Sequence, residues 1–132
     1  MAESYLAIQV VMMPADVNPS GTIFGGVLLS YIDQAGAIGA RRDVIKAGGK
    51  PPVLVTVAMN RVEFKQPVLV GDVVRFLSQL VRLGRTSVTV HVMVEAERGQ
   101  EVLQVTEAEV TYVGIDPRAP ERRPVPLLTS DL

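Results

Sequence analysis

One stretch of this chain, Ile23 to about Lys46, sets its apolar residues at helical spacing, and it lies between segments that read as strand. Phe24, Val27, Leu28, Tyr31, Ile32, Ala35, Ile38 and Gly39 follow the i, i+3, i+4, i+7 rule of a helix with one face buried. Gly48 and Gly49, followed by Pro51 and Pro52, end the pattern. A single long helix needs a sheet to cover its apolar stripe, so the expected class is α+β, with the helix laid across one curved sheet.

The strand candidates are Tyr5–Met13 before the helix and Val53–Phe64, Asp72–Leu83, Arg85–Ala96 and Val102–Ile115 after it. The fourth of these alternates most cleanly, with Val88, Val90, Val92 and Val94 on one face and Ser87, Thr89, His91 and Glu95 on the other. Gly84 and Arg98-Gly99 mark tight turns, which makes the last three runs antiparallel neighbours. Ala15 to Thr22 is a loop by composition. Residues 1–115 are expected to form one domain. The proline-rich residues 116–132 are expected to be an extended tail on its surface.

Bulk properties narrow the function classes. At 132 residues, with 48% hydrophobic and 20% charged residues, the chain can bury a core of its own. A formal net charge of −1 gives no broad field for nucleic acid or an anionic membrane surface, so neither partner is expected. No apolar run reaches the ~20 residues that span a bilayer. With no cysteine and a single histidine, neither a cysteine nucleophile nor a transition-metal site is expected, and the composition fits a reducing cytoplasm.

The other side of the helix carries Gly26, Leu29, Asp33, Ala37 and Ala40, small and apolar residues with one acid, where a solvent-facing helix would carry Lys, Glu and Gln. Such a helix is expected to be covered on both sides, by the sheet and by a partner subunit or ligand. Asp33 then sits on a semi-buried surface without a neighbouring Lys or Arg, a setting that makes a carboxylate a better proton acceptor. A bland reading, in which Asp33 merely accepts a hydrogen bond from a loop amide, fits the pattern as well. Gly25-Gly26 opens the helix with amides that nothing obstructs, suited to an oxyanion or simply to a tight turn.

The run Asp16-Val-Asn-Pro-Ser-Gly-Thr-Ile-Phe-Gly-Gly-Val-Leu-Leu-Ser-Tyr-Ile-Asp33 resembles the signature of hotdog-fold acyl-CoA thioesterases: Asn-x-x-Gly-x-x-(His or Phe)-Gly-Gly, six residues, then Asp. Val57-Ala-Met-Asn-Arg-Val-Glu-Phe-Lys-Gln-Pro67, Val70-Gly-Asp-Val-Val74 and Leu83-Gly-Arg-Thr-Ser-Val88 resemble later segments of the same family, in order. The resemblance implies a hotdog fold, a central helix wrapped by about five antiparallel strands, with two domains paired edge to edge. It implies hydrolysis of acyl-CoA at that interface, Asp33 of one protomer meeting Asn18 of the other. The dimer would be the active unit within a tetramer or hexamer.

On that reading Asp33 is general base or nucleophile, Asn18 orients water or carbonyl, and the Gly25 and Gly26 amides receive the oxyanion. Phe24 replaces the histidine of some relatives, leaving the polar work to Asn18 and the backbone. Arg85, Thr86 and Ser87 are the expected coenzyme A contacts, with Arg61 and Lys65 as secondary candidates. Leu29 and Met59 are expected to border the acyl tunnel, and His91 to face outward without a role. No cofactor beyond the substrate's own coenzyme A is implied. Two rivals remain. A hotdog dehydratase would need an Asp–His pair on the helix, which has no His. A non-catalytic acyl-CoA sensor usually carries an added DNA-binding segment, whereas this fold is expected to begin by Tyr5.

Overall fold

The computed structural model describes residues 3–50, 53–118 and 121–128. Strand β1 (Ser4–Val11) leads through a 3-10 turn at Pro14–Asp16 into helix α1 (Gly25–Lys46), followed by β2 (Val53–Phe64), β3 (Val73–Leu83), β4 (Ser87–Arg98) and β5 (Glu101–Ile115). The strands form one antiparallel sheet in the order β1-β3-β4-β5-β2. The four runs after the helix suggest a four-strand meander, but only β3-β4-β5 forms one. After the helix the chain crosses to the far edge, so β2 pairs only with the last strand. This is the expected α+β hotdog architecture.

Val88, Val90, Val92 and Val94 of β4 are all fully buried under α1, each worth roughly 1.5–2 kcal/mol of removed apolar surface. From the helix, Leu28, Ile32, Ala35, Gly36, Gly39, Ala40 and Val44 face them. The helix stops as expected: Gly48 has φ +93° and the Gly49 amide reaches back to the Val44 carbonyl at 2.9 Å. Pro51 and Pro52 lie outside the described residues.

Three sequence expectations shift. Phe24 and Ile38 are exposed and Ala40 is in the core, so the buried stripe is rotated from the expected one. Asp33, Leu29 and Ala37 therefore lie on the flank of the helix and are half-buried, while Ser30, Gln34 and Arg41 make the solvent side. At 100° per residue Asp33 sits a quarter turn from Ile32, the centre of the buried stripe, not opposite it. Asp72, Arg85 and Thr86 fall in turns before their strands. The tail is not merely on the surface: Leu127 is 2% exposed, and its amide donates to the Arg85 carbonyl at 2.9 Å. No helix among the described residues is long and apolar enough to cross a membrane.

Candidate active site

Asp33 projects from the α1 flank toward β2, where Thr56 Oγ1 donates to its Oδ1 at 2.6 Å. Beneath it, Tyr112 of β5 donates its hydroxyl to the Asp33 main-chain carbonyl at 2.7 Å. The tyrosine is 1% exposed. Its burial, and then the Asp33 charge beside it, push the phenol far above its ordinary 10.0, so it stays a donor at any working pH.

Asn18 organises the loop ahead of the helix. Its Oδ1 accepts the amides of Ser20 at 2.9 Å and Thr22 at 3.2 Å, and its Nδ2 donates to Thr22 Oγ1 at 2.9 Å. That arrangement is an Asx turn, and it leaves one of the two Nδ2 hydrogens without a partner among the described residues. Among the described residues of the one chain, no hydrogen bond joins Asn18 to Asp33. The loop is fixed to the helix start by Phe24 N–H to Asp16 O at 3.0 Å and to the next loop by Ile23 N–H to Val68 O at 2.9 Å.

Gly25 and Gly26 are the first two helical residues, and among the described residues their amides make no hydrogen bond. A Cβ on Gly26 would meet nothing, so no crowding by neighbours requires glycine there. Gly25 stands against Phe64, at the mouth of a cleft of about 360 Å³ whose walls include Leu28, Lys65 and Val68.

The candidate coenzyme contacts are not all in one place. Lys65 lines that cleft and pairs with Glu107 at 3.3 Å, while His91 approaches the other oxygen of Glu107 at 3.2 Å on the outer sheet face. The Lys65 hydrogen bond chiefly holds the Glu107 carboxyl below its ordinary 4.5; burial pushes it up, and the His91 contact adds a smaller downward pull. Arg61 is strongly exposed at a bulge in β2, with φ 55° and a contact to Glu109 at 3.2 Å. Arg85, Thr86 and Ser87 sit at the opposite end of the sheet. Phe64 pairs with Thr106 and Ser87 with Val113, so the two levels are about 23 Å apart along β5 at ~3.3 Å per residue. Among the described residues no group of three or more His, Asp or Glu is placed to hold a metal ion.

Known proteins bear on this geometry directly. Residues 20–103 match the family model described as "Thioesterase superfamily". The chain belongs to this superfamily. It is 38% identical to the acyl-CoA thioester hydrolase YciA of Salmonella typhimurium, over 92% of this chain and 90% of that protein. Among solved structures it resembles a hexameric hotdog-fold thioesterase of Campylobacter jejuni at 40% identity and TM-score 0.80, covering 92% of this chain and 89% of that one. A hexameric thioesterase from Yersinia pestis matches with TM-score 0.84 and 32% identity, covering 98% and 99% of the two chains.

In this thioesterase the sequence reading missed Thr56 and Tyr112. Nothing in the string singles out Thr56, whose partner is 23 residues away. Tyr112 did leave a signal. It is a phenol at an inward position between Val110 and Gly114, and the helix opposite carries glycines at 36 and 39 that only a close approach explains.

Proposed function

We propose that this thioesterase hydrolyses acyl-CoA to free acid and coenzyme A at a site shared by two protomers. Asp33 of one protomer supplies the carboxylate; Asn18 and the Gly25 and Gly26 amides come from the other. The observation that carries this reading is a mismatch within the single chain. Asp33 is held at the β2 edge by Thr56, whereas the free amides of Gly25 and Gly26 lie eight and seven residues back along α1, about 10–12 Å at 1.5 Å per residue. An oxyanion must sit ~3 Å from its donors while the same carbon is under attack. On this reading the two conditions are met by different protomers, and a second copy laid along β2 would meet them twice. That edge exposes Val53, Val57 and Phe64, the apolar surface a paired strand covers. The relatives described as hexameric support three such dimers.

In the reaction the thioester carbon gains an oxygen and its C–S bond breaks. Asp33 either takes the proton from the attacking water or attacks itself, giving a mixed anhydride that water then cleaves. Single turnover in 18O-water identifies the second route when water cleaves the anhydride at the aspartyl carbonyl, because only then does label enter the aspartate. Asn18, with its spare N–H, orients the water or the carbonyl. Arg85, Thr86 and Ser87 lie at the far end of the sheet from the free amides, and we assign them to the phosphates of the coenzyme; Arg61 and Lys65, at the other level of the sheet, are secondary contacts that would reach the same coenzyme only from the partner protomer.

Subunit complementation tests the proposal. Asp33→Asn and Asn18→Ala should each lower thiol release from acyl-CoAs by about 10²–10³-fold. Co-expressed, they should recover about a quarter of wild-type activity, since half of randomly paired dimers carry one intact site of two. Two variants that stay inactive when mixed would exclude the shared site, and binding of acyl-CoA without thiol release by the wild type would favour a sensor.

A further inference from the structure

We propose that Tyr112 is a positioning residue for Asp33: its buried hydroxyl, admitted by Gly36, holds the part of α1 that aims the carboxylate at β2. The inference rests on the reading of Asp33 as the reacting carboxylate.

Asp33 is gripped at two points from two strands. β2 holds the carboxylate through Thr56 Oγ1, and β5 holds the main chain through Tyr112 Oη at 2.7 Å. The second grip exists only because position 36, nearly one turn further along the helix, has no side chain. A Cβ there would collide with the Tyr112 hydroxyl and press against its ring. Glycine is a poor residue for a helix interior, so its presence calls for a reason, and the approach of the phenol provides one.

The same helix holds an internal comparison. Gly39 admits Ser78 of β3 as closely as Gly36 admits Tyr112. Yet Ser78 Oγ, also buried, has no hydrogen-bond partner among the described residues. Ser78 only fills space; Tyr112 fills space and bonds to the residue that carries the carboxylate. In a regular helix the Asp33 carbonyl also accepts the Ala37 amide, so its helical bond survives without the phenol. The added donor therefore fixes orientation. Orientation matters here because a misplacement of ~1 Å at a reacting group can cost about 10²-fold in rate.

Tyr112→Phe removes only the oxygen and orphans no buried acceptor. In the full chain acting on acyl-CoA, we expect kcat to fall about tenfold with KM within about twofold of wild type. The decisive measurement is the same change in the Asp33→Asn background. There it should leave the residual kcat unaltered, while lowering Tm as much as it does in the wild type. Ser78→Ala, the matched packing change, should leave kcat unchanged. Gly36→Ala, which drives the phenol back while keeping it, should reproduce the kcat loss by a second route.

A Tyr112→Phe enzyme with kcat within twofold of wild type overturns the proposal. So does a loss of equal size in the Asp33→Asn background, which would mark a general structural effect. Full turnover by Asp33→Asn alone would instead overturn the reading of Asp33, and the positioning role with it.

Discussion

Where α1 begins, three loops meet and are fastened by polar groups; where α1 ends, the sheet is closed by an apolar plug. At the first end Asp72, 2% exposed, accepts Arg98 Nε at 3.0 Å, Arg98 Nη2 at 2.8 Å and the Leu69 amide at 2.9 Å. Arg98 also donates to the Pro67 carbonyl at 3.1 Å, and the Met12 amide reaches the Asp72 carbonyl at 3.0 Å. The loop so held contains Pro67 and Val68 of the cleft wall, and Val68 in turn receives Ile23 just ahead of Gly25. At the other end the Leu127 side chain is buried in the core and its carbonyl lies against Gly49, with main-chain bonds from Val125 to Gly114 and from Leu127 to Arg85. The difference follows from what each end must do. Free amides at Gly25 and Gly26 have to be held in a fixed direction without being covered, and directional bonds do that, whereas an end with no such demand can be sealed by burial.

The largest expected effect comes from breaking the polar fastening. Arg98→Ala leaves a buried carboxylate without its cation. Breaking a fully buried pair costs ~3–5 kcal/mol. Because the arginine is 36% exposed, the expectation here is about 2–3 kcal/mol. Denaturant unfolding measures it, and kcat/KM should fall along with stability because the cleft wall moves.

Leu127→Ala comes next, at about 2 kcal/mol from lost burial and the cavity left behind. Its distinguishing mark is kinetic: kcat should stay at the wild-type value below the melting range. A fall in kcat as large as that of Arg98→Ala would erase the contrast between the two ends.

Acid should find the polar end first. Burial alone would raise the Asp72 carboxyl, but the Arg98 bonds and the Leu69 amide outweigh it and hold it below its ordinary 3.8. A folded-state pKa below the unfolded one means the stabilisation is complete above the unfolded value and is lost as pH falls through the folded value. Thermal unfolding between about pH 5 and pH 2 should therefore show a steeper loss for wild type than for Asp72→Asn, which starts less stable. Equal slopes would place the acid sensitivity elsewhere.

Much of the contrast was legible in the string, for physical reasons that can be named. The β4 valines alternate because one face is fully buried, and Gly48-Gly49 ends the helix because a positive φ is needed there. The motif from Asn18 to Asp33 located the candidate site because its members are close in sequence. The contacts that hold Asp33 were not legible, since Thr56 and Tyr112 reach it across 23 and 79 residues, set by the crossover of β2 to the far edge. The face of Asp33 was misjudged because small residues occupy both the core and the flank of α1, so hydrophobicity alone could not fix the rotation. Leu127 was missed for the opposite reason: an isolated apolar residue after prolines carries no period.

The smallest effect should come from the charges on the outer sheet face beside the polar end. Glu107 receives Lys65 at 3.3 Å and His91 at 3.2 Å, with side chains between 29% and 41% exposed. Glu107→Gln should therefore change stability by no more than about 0.5 kcal/mol, because exposed pairs gain little over hydration. It also frees the Lys65 ammonium at the mouth of the cleft. If Lys65 meets a phosphate of the coenzyme, the variant should bind acyl-CoA slightly more tightly, with KM lower by about two- to threefold at low salt and the gain lost as salt screens the charge. A pantetheine thioester without the phosphates should show no such gain. An unchanged KM for acyl-CoA at low salt would remove Lys65 from the coenzyme contacts and leave its ion pair as part of the outer face alone.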